Sequence, residues 1–165
     1  MAVVKSILKL TNFEAVIKVA GKGLYKGIDD FATINLRGDM YDPATELLEG
    51  GQVVRINNLQ WSGDIGTSYT IVRGGNTIAT LTAENGNFID FNELFSPDMN
   101  NLTDDITVYI RNAVTGLPAQ GELWLKLKKV SGYKQKYTQM TTQGITTELD
   151  DLVLSEVDDT LTTEN

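Results

Sequence analysis

The chain has 165 residues and a net charge of −8, and it contains neither cysteine nor histidine. A chain of this length forms one domain, or one domain with an appendage, and it buries enough surface to fold without a metal or a disulfide. The missing residue types exclude thiol catalysis, disulfides, cysteine-based zinc sites and every mechanism that depends on a histidine base.

The acidic charge is concentrated toward the C-terminus. Residues 1–133 carry 12 basic and 15 acidic side chains, whereas residues 134–165 carry 2 and 7, so the net charges are −3 and −5. An acidic protein repels phosphate backbones and anionic membrane surfaces, so we expect neither nucleic acid nor a membrane as a partner. The N-terminal stretch is not expected to be a signal peptide, because Lys5 and Lys9 interrupt its apolar run.

The first part of the chain alternates apolar and polar residues with the period of two that is typical of strands. We predict strands at residues 3–10, 13–19, 30–36 and 52–61, the second of them broken by Gly21 and Gly23. Residues 42–49 predict a short helix instead, because Asp42 can cap it and Pro43 suits its first turn. Gly50-Gly51 would end that helix.

The second part continues the strand pattern up to residue 130. The clearest hairpin joins strands at residues 68–73 and 76–82 through Gly74-Gly75. Further strands are predicted at residues 87–91, 105–111 and 122–130, with a loop at residues 92–101. The last strand alternates Leu123, Leu125 and Leu127 with Trp124, Lys126 and Lys128. One of its faces is therefore apolar, and the other is aromatic and basic.

These elements predict an all-β fold, an antiparallel β-sandwich or jelly-roll-like body, with an extended C-terminal arm. The body comprises residues 1–133 and the acidic arm residues 134–165. Residues 147–157 of the arm fit a helical stripe and a strand equally well. The arm has too few large apolar residues to fold alone in water.

No set of residues predicts catalysis, a cofactor or a metal, so we expect a protein that is not an enzyme. The acidic pairs lack calcium-loop spacing and are expected to be solvated turn residues; they are Asp29-Asp30, Asp104-Asp105, Asp150-Asp151 and Asp158-Asp159. The glycines at residues 21–23 and 50–51 lack the spacing of phosphate-binding loops and are expected to be turns.

The candidate contact residues lie on the last strand and in the arm. Trp124 is the best candidate for an exposed aromatic residue, and it suits a protein contact as well as a sugar. Lys126 and Lys128 share its face. They belong to a basic run with Lys129, Lys134 and Lys136, which either receives the acidic tail of a neighbouring copy or is a solvated edge. The predicted partner-binding residues are Trp124, Lys126 and Lys128 of the body and Leu149, Leu152, Val153 and Leu154 of the arm.

Several segments together resemble the small virion structural proteins of contractile-tailed phages, especially those of marine cyanobacteria. The resemblance covers about residues 1–133 and rests on the segments VKSILKLTNFEAVIKVAG, FATINL, VRINNLQWSGDIGTSYTIVRGGNTIATL, FIDF, DITVYI and GELWLKLKKVSGY. It implies a decoration or cement protein on the outer surface of a phage capsid. Its partners would be the major capsid protein and neighbouring copies of itself, in a homo-oligomer on the shell.

Two other functions stay open at this point. One is a neck, tail or fibre-associated virion protein, which the same resemblance allows. The other is a carbohydrate-binding module, in which Trp124 would stack on a sugar.

Overall fold

The computed structural model describes residues 3–27, 30–43, 45–84, 87–91, 101–114 and 118–135. In these ranges the chain forms strands and no helix. The strands are β1 (Val4–Leu10), β2 (Glu14–Leu24), β3 (Asp30–Ile34), β4 (Thr45–Leu47), β5 (Val53–Gly63), β6 (Thr67–Arg73), β7 (Asn76–Thr82), β8 (Phe88–Asp90), β9 (Ile106–Asn112), β10 (Ala119–Ser131) and β11 (Tyr133–Gln135).

The strands form two large sheets and one small one. One large sheet has five strands in the order β1-β2-β10-β5-β8, and the other has four in the order β3-β9-β6-β7. β4 pairs with β11 in a separate ribbon, and every strand pair is antiparallel. Buried side chains from both large sheets form one core cluster. The prediction of an all-β antiparallel sandwich is confirmed.

Period-two alternation sends one face of each central strand into that core. Leu123, Leu125 and Leu127 of β10 have no exposed surface, and Ile17 and Val19 of β2 are equally buried. These side chains face the inward residues of β6 and β9, which belong to the same core cluster. Burial of a large aliphatic side chain stabilises a fold by about 1.5–3 kcal/mol, so this alternation is the main source of stability.

A row of three glycines crosses the five-stranded sheet where a break was predicted. Gly21 of β2 lies opposite Gly121 of β10, and Gly121 lies opposite Gly63 of β5. The predicted end of the second strand at Gly21 is therefore wrong, because β2 continues to Leu24. Tyr69 of the four-stranded sheet fills the space beside Gly63 and Gly121, since a Cβ atom on Gly63 would meet its hydroxyl oxygen at 2.7 Å, whereas Leu24 fills the space beside Gly21.

Two local predictions in the first half of the chain are also wrong. The helix predicted at residues 42–49 is replaced by β4, whose partner is β11 near the end of the body. The Leu48 amide also donates to the Gly132 carbonyl, so distant residues satisfy backbone groups that a helix would have satisfied locally. Phe13, predicted as the first residue of the second strand, lies in the turn between β1 and β2 and is 73% exposed.

Arg73 closes one end of the sandwich. Its side chain is 1% exposed, and its guanidinium donates to the carbonyl oxygens of Val54, Leu102 and Asp104. These acceptors lie at the start of β5 and in the segment before β9. Since five donors project from one planar group, a single arginine can hold both segments against β6.

Residues 1–135 form one compact unit. β11 lies across the predicted boundary at residue 133 and ties residues 134 and 135 to β4. The contact residues predicted in the arm lie outside the described residues.

Candidate functional site

The outward residues of β10 form the centre of the candidate site. Trp124 is 37% exposed, Lys126 and Lys128 are half-buried, and the leucines between them are buried. The structure thus brings the three contact residues predicted in the body together on the outer face of the five-stranded sheet. This is the face that their alternation predicts. Their contact with a partner stays a prediction.

Strand register extends the site to both sides of Trp124. Lys18 of β2 and Gln60 of β5 lie directly opposite Trp124. Phe88 of β8 lies opposite Gln60 and is 55% exposed. We call Lys18, Trp124, Gln60 and Phe88 the aromatic row. It places two accessible aromatic side chains on one surface, separated by a single strand.

Charged residues dominate the part of the face next to the aromatic row. Glu14 of β2 and Arg55 of β5 lie opposite Lys128, and Lys9 of β1 lies opposite Val16, which itself pairs with Lys126. We call Lys9, Glu14, Arg55, Lys126 and Lys128 the basic patch.

Trp124 is held by charged neighbours. The Lys18 ammonium lies 5.8 Å from the centroid of the indole ring and 3.0 Å from the Glu122 carboxylate. A cation at this distance is attracted by the ring face, and the carboxylate keeps the lysine in place. The ring therefore has a defined position on the sheet while more than a third of the residue stays accessible.

Glu14 lies between two lysines of the basic patch. Its carboxylate accepts a hydrogen bond from Lys9 at 2.6 Å, and it lies 3.3 Å from Lys126. The hydrogen bond from Lys9 is the main reason that the pKa of Glu14 is lowered, Lys126 acts in the same direction, and burial opposes them. The lowered pKa means that Glu14 stays ionised beside these two lysines.

The outer face of the five-stranded sheet differs in charge from the unit as a whole. Residues 1–135 carry 13 basic and 15 acidic side chains. The outward strand residues of this sheet carry more basic than acidic groups; they are Lys9, Lys18, Lys22, Arg55, Lys126 and Lys128 against Glu14, Asp90 and Glu122. A cationic surface on an acidic unit favours an anionic partner surface.

An open depression of about 590 Å³ lies beyond the aromatic row, over the glycine row. Two small outward residues, Ala20 and Ser62, lie on either side of Glu122, so the surface is low there. Lys22 and Asp64 also line the depression. The Asp64 carboxylate accepts a hydrogen bond from the Gln120 amide at 2.9 Å. The surface next to the aromatic row is therefore concave.

Lys129 does not belong to the basic surface that the sequence predicted. Its side chain points inward, its residue is 8% exposed, and its ammonium lies 4.9 Å from the ring of Tyr133. Burial lowers the pKa of Lys129. Lys134 lies on β11, in a different sheet. The predicted basic run therefore does not form one surface. Lys126 and Lys128 lie on the outer face of the five-stranded sheet, Lys129 is buried and Lys134 lies on β11. Lys136 lies outside the described residues.

The other predicted features have structural roles or lie outside the described residues. Asp105 accepts hydrogen bonds from the Leu36 amide and the Asn35 side chain, which ties the end of β3 to β9. Among the described residues, no group of acidic side chains could hold a metal ion. Likewise, no helix in the described ranges is long and apolar enough to cross a membrane. The arm residues Leu149, Leu152, Val153 and Leu154 lie outside those ranges.

Sequence reasoning missed Lys18, Phe88, Glu14 and Arg55 as parts of the site. Each lies on a strand whose outward face was recognisable, but only the register with β10 and β5 brings them beside Trp124 or Lys128. No family model, curated protein or solved structure matches the chain.

Proposed function

We propose that the protein is a virion structural protein that binds the outer surface of a phage capsid as a decoration or cement protein. The observation that carries this proposal is the outer face of the five-stranded sheet. It presents Trp124 beside lysines on the central strand of a rigid sheet. The sequence resemblance supplies the class of particle, and the all-β body is consistent with it.

The aromatic row has the properties of a protein-binding anchor. Tryptophan is enriched at the centres of interfaces, because its large ring loses much solvent contact at a small entropic cost. Trp124 and Phe88 are 37% and 55% exposed, respectively. They lie on one surface, so a single partner can cover both. The lysines around them favour a shell protein whose matching surface is acidic.

Repetition on a shell strengthens such a contact. A capsid presents many copies of the same site, and copies that also contact one another are held by several weak contacts at once. We therefore expect the protein to occupy the shell at a fixed copy number, with the major capsid protein and neighbouring copies as its partners.

Co-sedimentation with capsids that have been stripped of the protein tests this function. Wild-type protein should sediment with the shells and saturate at a fixed copy number. Trp124→Ala should weaken binding by about 30-fold or more, because truncation of a central aromatic anchor costs about 2 kcal/mol or more. The matched control is Phe31→Ala, which removes an aromatic residue of 55% exposure from the opposite sheet.

Two results would contradict the proposal. Wild-type protein that stays in the supernatant over intact shells would exclude decoration and would favour a neck, tail or fibre location. Equal losses for Trp124→Ala and Phe31→Ala would show that the outer face of the five-stranded sheet is not the contact surface. A map of the native particle would then separate the virion locations by position and copy number.

A further inference from the structure

The basic patch carries four cationic side chains and one carboxylate, and the chain itself contains a segment of opposite charge. Residues 147–159 carry six acidic side chains and no basic one. Between the acids lie five apolar residues, which are Leu149, Leu152, Val153, Leu154 and Val157. We propose that this acidic segment of one copy binds the basic patch of a second copy. The inference rests on the proposed function, since it names the partner of part of the same face.

Charge complementarity selects this occupant. The one carboxylate of the patch, that of Glu14, lies 2.6 Å from Lys9 and 3.3 Å from Lys126, and the four cations leave an excess of positive charge on the patch. Lys128 lies directly opposite Arg55 on the next strand, so basic residues of two neighbouring strands lie side by side on this face. Nucleic acid also supplies negative charge, but the net charge of −8 opposes its approach.

The apolar residues of the segment match the border of the patch. The aromatic row lies next to the row that contains Lys126, and Trp124 is two residues from Lys126 on the same strand. A segment that alternates acids with leucine and valine can place carboxylates on the lysines and apolar side chains against the indole. An uncharged or purely acidic segment would use only one of these two surfaces.

The available chain length permits contact between copies. Ten residues, 137–146, separate Lys136 from the acidic segment, and ten residues span at most about 35 Å when extended. Five strands spaced about 4.8 Å apart make the face about 20 Å wide. The extended linker is therefore longer than the face is wide, so its length does not prevent the segment from crossing the patch of a second copy.

Sedimentation velocity of the full-length chain provides the test. Wild-type protein should self-associate with a Kd between about 10 µM and 1 mM. Association should weaken at high salt, because salt screens exposed charges. The double variant Lys126→Glu/Lys128→Glu should weaken association at least tenfold. The control Lys26→Glu/Lys134→Glu makes the same charge change at exposed sites off the face and should leave association within twofold of wild type.

A mixing experiment makes the test specific for this pair of surfaces. Asp150→Lys/Asp151→Lys reverses charge in the segment and should also weaken self-association at least tenfold. Mixed with Lys126→Glu/Lys128→Glu, it should associate again, because each variant then offers a surface that is complementary to the other. A monomeric wild type over the whole range overturns the inference, and so does a mixture that fails to associate.

The same variants separate this inference from the proposed function. Asp150→Lys/Asp151→Lys should still bind stripped shells through the aromatic row, and Trp124→Ala should lose shell binding. Shell binding without self-association overturns only the inference. Self-association with the predicted charge dependence, but without shell binding, overturns only the capsid function.

Discussion

Replacement of Gly121 by alanine tests the packing between the two sheets. A Cβ atom at this position would lie 2.7 Å from Cγ2 of Thr67 and would also collide with the Tyr69 hydroxyl oxygen. Thr67 and Tyr69 have no exposed surface. The Tyr69 hydroxyl also donates to the Ser62 carbonyl at 2.5 Å. Neither neighbour can rotate into solvent, so the sheets must separate locally or Tyr69 must lose its hydrogen bond.

The expected loss of stability follows from two opposing effects. Overpacking of a close-packed core costs about 1–3 kcal/mol. Alanine within a strand is favoured over glycine by about 0.5–1 kcal/mol, because it loses less backbone entropy on folding. The balance is a destabilisation of about 1–2 kcal/mol for Gly121→Ala. For a unit of this size it corresponds to a fall in Tm of about 5–10 °C.

Urea and thermal unfolding of the full-length chain would measure this change. The matched control is Gly50→Ala, because a Cβ atom at Gly50 meets no atom within 4 Å. That control should be neutral or should gain about 0.4–1 kcal/mol through the unfolded state. Both substitutions replace glycine by alanine. The difference between their effects on the free energy of unfolding therefore isolates the collision of the new methyl group with Thr67 and Tyr69.

A double-mutant cycle with Tyr69→Phe identifies the source of the loss. Removal of the hydroxyl group takes away the nearest atom that the new methyl would meet, although it leaves the Ser62 carbonyl without its donor. The double variant Gly121→Ala/Tyr69→Phe should therefore be more stable than the sum of the single changes by about 1 kcal/mol. Additive effects, or an unchanged Tm for Gly121→Ala, would refute the packing described for the glycine row.

Three further predictions concern buried groups and the two tryptophans. Arg73→Met should lower the free energy of unfolding, measured in urea, by about 2–4 kcal/mol, because three carbonyl oxygens lose their donor. The control Arg37→Met, at an exposed position, should change it by less than about 0.5 kcal/mol. Burial raises the pKa of Tyr69 to about 12, so its contribution to stability should be complete below pH 10 and be lost as the pH rises from 10 toward 12. Tyr69→Phe should reduce that alkaline loss, and the part that remains is expected from Tyr133, whose pKa burial also raises; an undiminished loss in the variant would contradict the assignment to Tyr69. Trp124→Phe should remove the fluorescence that acrylamide quenches and leave the protected emission of Trp61, which is 3% exposed; unchanged quenching would contradict the exposure of Trp124.

The prediction for β10 succeeded because the required information is local. Alternation of leucines with Trp124 and lysines is visible along nine residues, and a strand has only two faces. The Gly74-Gly75 hairpin was predictable for the same reason, since both glycines have positive φ angles of 55° and 78°. Composition alone excluded cysteine and histidine chemistry. These conclusions needed no knowledge of which strands pair.

The wrong predictions share the opposite cause, because the information that they required lies in distant parts of the chain. The glycines at residues 21–23 were predicted to end a strand, but residues 119–121 of β10, far away in the chain, pair with this part of β2, which continues to Leu24. Residues 45–47 were predicted to be helical, but β11 offers them backbone partners. In each case a residue distant in sequence stabilises a conformation that local propensity does not favour.

The candidate site shows the same division between local and tertiary information. The sequence by itself determined the all-β class and the outward direction of Trp124, Lys126 and Lys128. Only the tertiary structure decided that Lys18, Glu14 and Arg55 join them, and that Lys129 leaves the surface for the ring of Tyr133. The physical reason is register. Side-chain alternation is a property of one strand, but the neighbours across a sheet depend on how the whole chain pairs its strands and closes its core.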